Sequence, residues 1–155
     1  MSDLQCPVTL LVSRHGDADQ VRALVEQVRS RRVAAIYSSR MERAVESAEL
    51  AASELGVRSV AVDGLQESSG ELAVAVLKRF TKAIEEIADI HRGETVLVFT
   101  HSGVMSLVIP RLSVNMRNDL AAQRIPHNCA PVEVEVNADG WRLMSWPGVT
   151  DAVTV

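Results

Sequence analysis

The chain predicts an α/β fold, a three-layer sandwich with a mostly parallel central sheet and an antiparallel hairpin or edge at its C-terminal end. Three observations carry this. Two short apolar runs, at 8–13 and 95–99, read as strands buried on both faces, as strands of parallel sheets are. Segments with helical periodicity alternate with such runs along the chain. Near the C-terminus the pattern changes: Val132, Val134 and Val136 alternate with Glu133 and Glu135, so one face of that strand is wet.

The elements follow in order. After the strand at 8–13 comes a helix at 20–31, with Val21, Leu24, Val25 and Val28 as its apolar stripe. A second strand at 33–37 runs into Ser38-Ser39, where Ser39 and Glu42 fit a capping box for the next helix. That helix reads as burying Met41, Val45, Ala48, Ala52 and Leu55, and Gly56 stops it. A third strand at 58–62 and a polar loop at 63–70 lead into a long helix ending near Arg92. Its face is Leu72, Val76, Phe80, Ala83, Ile84, Ile87 and Ile90. The fourth strand at 95–99 precedes a helix at 103–109, with Pro110 near its end, and a short helical piece at 117–123. Asp139-Gly140 reads as a hairpin turn into a last strand at 141–146.

The bulk numbers narrow the function. At 155 residues the chain has room for one proper core, so 1–155 reads as a single domain. Aromatics are only 3%, so the core must be Val, Leu, Ile and Ala. The net charge of −4 argues against nucleic acid as partner; the densest basic patch, Arg29-Ser30-Arg31-Arg32, falls at a helix end, where cations complement the dipole. No stretch approaches the ~20 apolar residues of a membrane span, and no N-terminal signal-peptide pattern is present. Cys6 and Cys129 read as free thiols without a metal-site pattern, and the expected location is the cytoplasm.

Polar residues gather where the parallel strands end. The first delivers Arg14, His15 and Asp17; the second Ser38, Ser39 and, one helical turn on, Arg43; the third Asp63 and Glu67; the fourth His101 and Ser102. Right-handed crossovers bring all of them to the carboxyl edge of the sheet, where open α/β sheets take ligands. Two imidazoles and two guanidinium groups suit an anion, above all a phosphate. Arginines grip its oxygens bidentately, and helix N-terminal amides after Ser39 and His101 add neutral donors. Either histidine can be a nucleophile, because a neutral imidazole nitrogen attacks phosphorus and its pKa lies near ~6.5. Glu67 is placed to protonate a leaving alkoxide. Taken singly, each of these residues has an ordinary reading as a solvated or end-of-strand side chain. Joint placement is the signal. His91 and His127 lack such company and read as surface residues.

Four segments in this order carry a resemblance. Arg14-His15-Gly16, Ser38 to Ala44 with Ser47-Ala48, Leu65-Gln66-Glu67 with Gly70, and His101-Ser102-Gly103, with Asn128 before the last strands, are similar to the histidine phosphatase superfamily, the phosphoglycerate mutase-like enzymes. The resemblance runs from about Val8 to Val136. It implies that His15 is the nucleophile and that water hydrolyses the resulting phosphohistidine. It implies phosphate binding by Arg14, Arg43, His101 and Ser102, with His101 protonated. Glu67 would be proton donor to the leaving group and then base for water. No metal and no cofactor are implied, since cationic side chains neutralise the phosphoryl charge. The partner would be a small phosphorylated metabolite or a phosphoprotein.

The chain also departs from the family pattern. The helix start usual after the first motif is missing, Glu67 runs almost directly into the long helix, Ser102 replaces a glycine, and Arg40 stands where proline or a small residue is common. These departures imply an open site resembling the small phosphohistidine phosphatases, with Glu71 and Asp17 as alternative acids. The expected function is a metal-independent phosphatase of a phosphomonoester or phosphohistidine. A phosphoglycerate-type mutase and a phosphate-binding module without catalysis are the alternatives.

Overall fold

The computed structural model describes residues 6–115 and 127–147. Six strands form one sheet in the order β3-β2-β4-β1-β5-β6. Strands β1 (Val8–Arg14), β2 (Val33–Ser38), β3 (Ser59–Ala61) and β4 (Thr95–Thr100) are parallel. Strands β5 (Val132–Asn137) and β6 (Gly140–Ser145) extend the β1 side as an antiparallel pair. Helices α1 (Ala18–Val28) and α2 (Glu42–Leu55) cover one face, and α3 (Ala73–Ile90) and α4 (Ser102–Leu112) the other. The expected three-layer architecture is present.

Strand alternation divides the core. Leu10 and Val12 of β1 face α3 and α4, while Leu11 between them packs with Val21, Leu24 and Val25 of α1. The expected α1 stripe is buried residue for residue. In α3, Val76, Phe80, Ala83, Ile84 and Ile87 are buried as expected, but Leu72 and Ile90 at the two ends lie 76% and 62% exposed. Leu72 is the N-cap, outside the helix, and Ile90 is its last residue. Among the described residues, no helix is long and apolar enough to cross a membrane.

Three local expectations are corrected. The capping box forms at Asp17, which accepts from the Gln20 N–H while the Gln20 side chain accepts from the Asp17 N–H; α2 starts from Met41 without a side-chain cap. Ser39 is held elsewhere, as shown below. The buried face of α2 is Ala44, Ser47, Ala48, Ala51 and Ala52: Ala48 and Ala52 are buried as expected and Leu55 packs partly buried beside the core, but Met41 precedes the helix and the small Ala44, Ser47 and Ala51, not Val45, complete the buried face. The hairpin turns at Ala138-Asp139, with Gly140 (φ +124°) already paired to Asn137. The helical piece expected at 117–123 lies outside the described residues.

His91 is also corrected: it is buried, not a surface residue. As the residue closing α3 it turns back under the sheet, 2.7 Å from the Tyr37 hydroxyl and 2.9 Å from Glu94 Oε1. Tyr37 needs a polar partner in the core, and His91 supplies it across 54 positions of sequence. His127 is exposed, as expected. Arg29 and Arg31 pair with Glu26 and Glu133.

Candidate active site

Strand register creates the site. Leu11 lies opposite Leu97 and Arg14 opposite Thr100, so β1 and β4 end level and the next residue of each emerges side by side. Those residues are His15 and His101. Their ring centroids are 5.3 Å apart, with the planes inclined by 62°.

Hydrogen bonds hold the His15 loop from three sides. The His15 N–H donates to the Thr100 carbonyl at 3.3 Å, and the Arg14 carbonyl accepts from the Cys129 N–H at 2.9 Å. The Ser47 hydroxyl bridges the Gly16 N–H and carbonyl, 3.1 Å from each. A Cβ at residue 16 would meet Cys129 Sγ at 2.6 Å and Gln20 Oε1 at 2.7 Å, so only glycine fits where α1, α2 and the loop before β5 converge. Burial pushes the Cys129 thiol up to about 11, with Asp17 adding to the shift.

Arg14, His15 and Arg43 share one cavity of about 350 Å³, with Asp17, Gln20 and Glu46 on its outer wall. Asn128, bridged to Arg14, also lines it and donates to Gln20 Oε1 at 3.3 Å. Arg43 and Glu46 stand one turn apart on α2. Neither arginine is in an ion pair among the described residues, so both are available to an anion. Burial, then the charges of Arg14 and Arg43, lower the His15 pKa, and Glu67 opposes them. His101 is lowered by burial, by His15 and by Arg14, again against Glu67. Both shifts favour neutral imidazoles, and an entering dianion would reverse the balance at His101.

The remaining expected residues converge on the same edge. Ser39 is fully buried, with Oγ 2.7 Å from His101 Nε2. Ser102 opens α4, half-buried. The Glu67 carboxylate accepts from the Gly103 N–H at 3.0 Å, seated on the α4 N-terminus. The alternative acids are otherwise engaged. Asp17 caps α1, and both oxygens of Glu71 are bound by Arg79, which lowers the Glu71 pKa. Asp63 pairs with Arg40 at 2.7 Å and takes no part. Among the described residues, no cluster of three or more His, Cys, Asp or Glu could hold a metal ion.

Three contributors escaped the sequence. Arg79 donates to the carbonyls of Gly64 and Gln66 at 2.8 Å and to that of Glu67 at 3.4 Å, fastening the loop that presents Glu67. Its signal was an arginine beside the apolar stripe, three residues after Val76. Glu46 and Gln20 carry no chemistry-bearing pattern of their own, and only the folded pocket gives them a place.

The pocket opens at the carboxyl edge of a doubly covered α/β sheet, lined by two arginines, two carboxylates and His15, with His101 beside His15. The model of the histidine phosphatase superfamily (branch 1) matches residues 14–70 and 67–147, and the chain belongs to that superfamily. It is 24% identical over 168 residues to phosphoglycerate mutase-like protein 4 of Arabidopsis thaliana, covering 84% of this chain and 72% of that protein. Its fold is similar to YhfR of Bacillus stearothermophilus, with TM-score 0.76, 19% identity and coverage of 95% of this chain and 98% of that one. It is also similar to a phosphoserine phosphatase of Entamoeba histolytica in complex with phosphoserine (0.73, 14%, 91% and 97%). A mycobacterial glucosyl-3-phosphoglycerate phosphatase in complex with VO3 is a further structural neighbour (0.70, 18%, 91% and 98%).

Proposed function

We propose that this chain is a metal-independent phosphatase that hydrolyses a phosphomonoester or phosphohistidine through a phosphohistidine on His15. The observation that carries it is the pair of imidazoles 5.3 Å apart beside a cavity holding two unpaired guanidinium groups. Arg14 and Arg43 hold the equatorial oxygens. A neutral His15 ring nitrogen forms a bond to phosphorus as the bond to the leaving oxygen breaks. Glu67, in its protonated form, gives its proton to that oxygen. Water then attacks the phosphohistidine, Glu67 takes its proton, and phosphate departs with His15 restored. His101, with Ser102 and the α4 amides, faces the charge that builds on the phosphoryl oxygens.

The substrate is a small phosphorylated metabolite or a phosphoprotein in the cytoplasm. Hydrolysis is favoured over mutase chemistry because Asp17 and Arg43 at the cavity mouth are exposed, so the intermediate is open to water. The test is turnover of phosphomonoesters and phosphohistidine peptides with chelator present. Activity should survive chelation and vanish in His15→Ala, and brief exposure to labelled substrate should leave acid-labile, base-stable label on His15. An alanine variant with full activity ends the proposal. Phosphate or vanadate raising the Tm with no turnover would instead indicate a binding module.

A further inference from the structure

The cavity holds two guanidinium groups, Arg14 and Arg43, and two carboxylates, Asp17 and Glu46. A phosphate dianion consumes both cations. Asp17 and Glu46 then face the rest of the substrate without compensation, since no other arginine or lysine among the described residues lines the cavity. One Asp17 oxygen is bound by the Gln20 N–H, and Glu46 is in no ion pair among the described residues. A second anionic group on the substrate would be repelled by both carboxylates, and a cation or a strong donor would be attracted.

Resting on the phosphatase reading above, we infer that Glu46 and Asp17 form a leaving-group subsite for phosphomonoesters whose alcohol carries a cationic, ammonium-like group, and that they discriminate against substrates with a second anionic group. In such a complex the ammonium sits between the Glu46 and Asp17 carboxylates while the phosphate is held by the arginines, so that a zwitterionic ester matches a zwitterionic wall. Glu46 does not touch the phosphorus; it acts on the departing alcohol and sets specificity.

Three two-carbon esters that differ only at the far end test this: phosphoethanolamine, 2-hydroxyethyl phosphate and phosphoglycolate. The expected order of kcat/KM is ammonium, hydroxyl, carboxylate, spanning roughly tenfold for two half-exposed ion pairs. The span should narrow at high salt, because the wall is solvent-facing. Glu46→Gln should reduce the ammonium-to-carboxylate ratio about two- to fivefold, and Asp17→Asn, which keeps a good helix cap, should do likewise. Phosphoglycolate turned over as well as phosphoethanolamine, or a ratio unmoved in both variants, overturns the subsite while leaving the phosphatase reading intact. If no ester is turned over, the phosphatase reading is judged by the phosphohistidine peptides above and the subsite by calorimetric affinity for the three esters: tighter binding of the ammonium ester supports it, and equal or weaker binding ends it.

Discussion

The Ser39 hydroxyl oxygen lies 2.7 Å from His101 Nε2, and both groups are buried. The same oxygen accepts from the Met41 N–H at 3.3 Å, so the hydroxyl proton is free to go to Nε2 of a neutral imidazole. Nδ1 is then the ring nitrogen left to donate to a phosphoryl oxygen. In the proposed mechanism, the face His101 offers to substrate is then set by a residue 62 positions earlier in the chain. Ser39→Ala should lower kcat about three- to tenfold, as expected for one lost buried hydrogen bond, with a smaller change in KM. It should also displace the acidic side of the pH–rate profile. A Tm loss with an unmoved profile would reduce Ser39 to a packing residue.

The acid-bearing loop depends on Arg79. With its bonds to Gly64, Gln66, Glu67 and Glu71 removed, Glu67 loses its fixed reach. Arg79→Ala should therefore slow hydrolysis of alkyl phosphates about tenfold or more, because a poor leaving group needs its proton. Hydrolysis of 4-nitrophenyl phosphate, whose leaving group needs little, should fall much less. The ratio of the two rates is the measurement, and Glu67→Gln should change it the same way.

Gly103 makes room for Glu67. A Cβ there would lie 2.6 Å from Glu67 Oε1, yet the residue sits in the first turn of α4, where alanine is a good helix former. Gly103→Ala should leave the Tm nearly unchanged while lowering turnover of alkyl phosphates. Unchanged turnover would mean that Glu67 can work from another position.

The two histidines link stability to pH. Both have pKa values below the usual 6.5 in the fold, so the unfolded chain binds protons that the native chain refuses. This contribution to stability is complete above about 6.5 and is lost as pH falls from there toward the native values. Urea midpoints should drop between pH 7.5 and 5.5, less so with saturating phosphate, whose charge favours the protonated rings. The double variant His15→Gln, His101→Gln should lose part of that pH dependence. If His15 is the nucleophile as proposed, kcat/KM should hold below pH 6.5, because its ring in the free protein stays neutral there.

Tyr37 and His91 provide the contrast. Their hydrogen bond is buried in the α3 side of the core and touches no part of the phosphate cavity. His91→Ala leaves the Tyr37 hydroxyl without its partner, so unfolding free energy should fall by about 1–3 kcal/mol with kcat unchanged. A histidine variant that loses activity but not stability belongs at His15 or His101.

The strand ends were legible in the sequence because their signal is local. An apolar run that stops at Arg14-His15-Gly16, or at His101-Ser102-Gly103, announces both a buried strand and the polar edge it reaches. The α1 stripe was legible for the same reason, since 3.6-residue periodicity needs only neighbours. Contacts between distant segments were not. His91 looked solitary because Tyr37 sits on another strand, and the α2 face was misjudged because close packing on the sheet selects small residues over large ones.

The sequence by itself determined the fold class, the order of the elements and the identity of the side chains at the carboxyl edge, through periodicity and through the residues that end each strand. Only the tertiary structure decided which of those side chains meet. The level register of β1 and β4 puts the histidines together, Arg79 fastens the Glu67 loop, and Glu46 joins the cavity of Arg14 and His15 one turn beyond Arg43. Each depends on distances of a few ångströms between residues far apart in the chain, and pairing and packing set those distances where local pattern cannot.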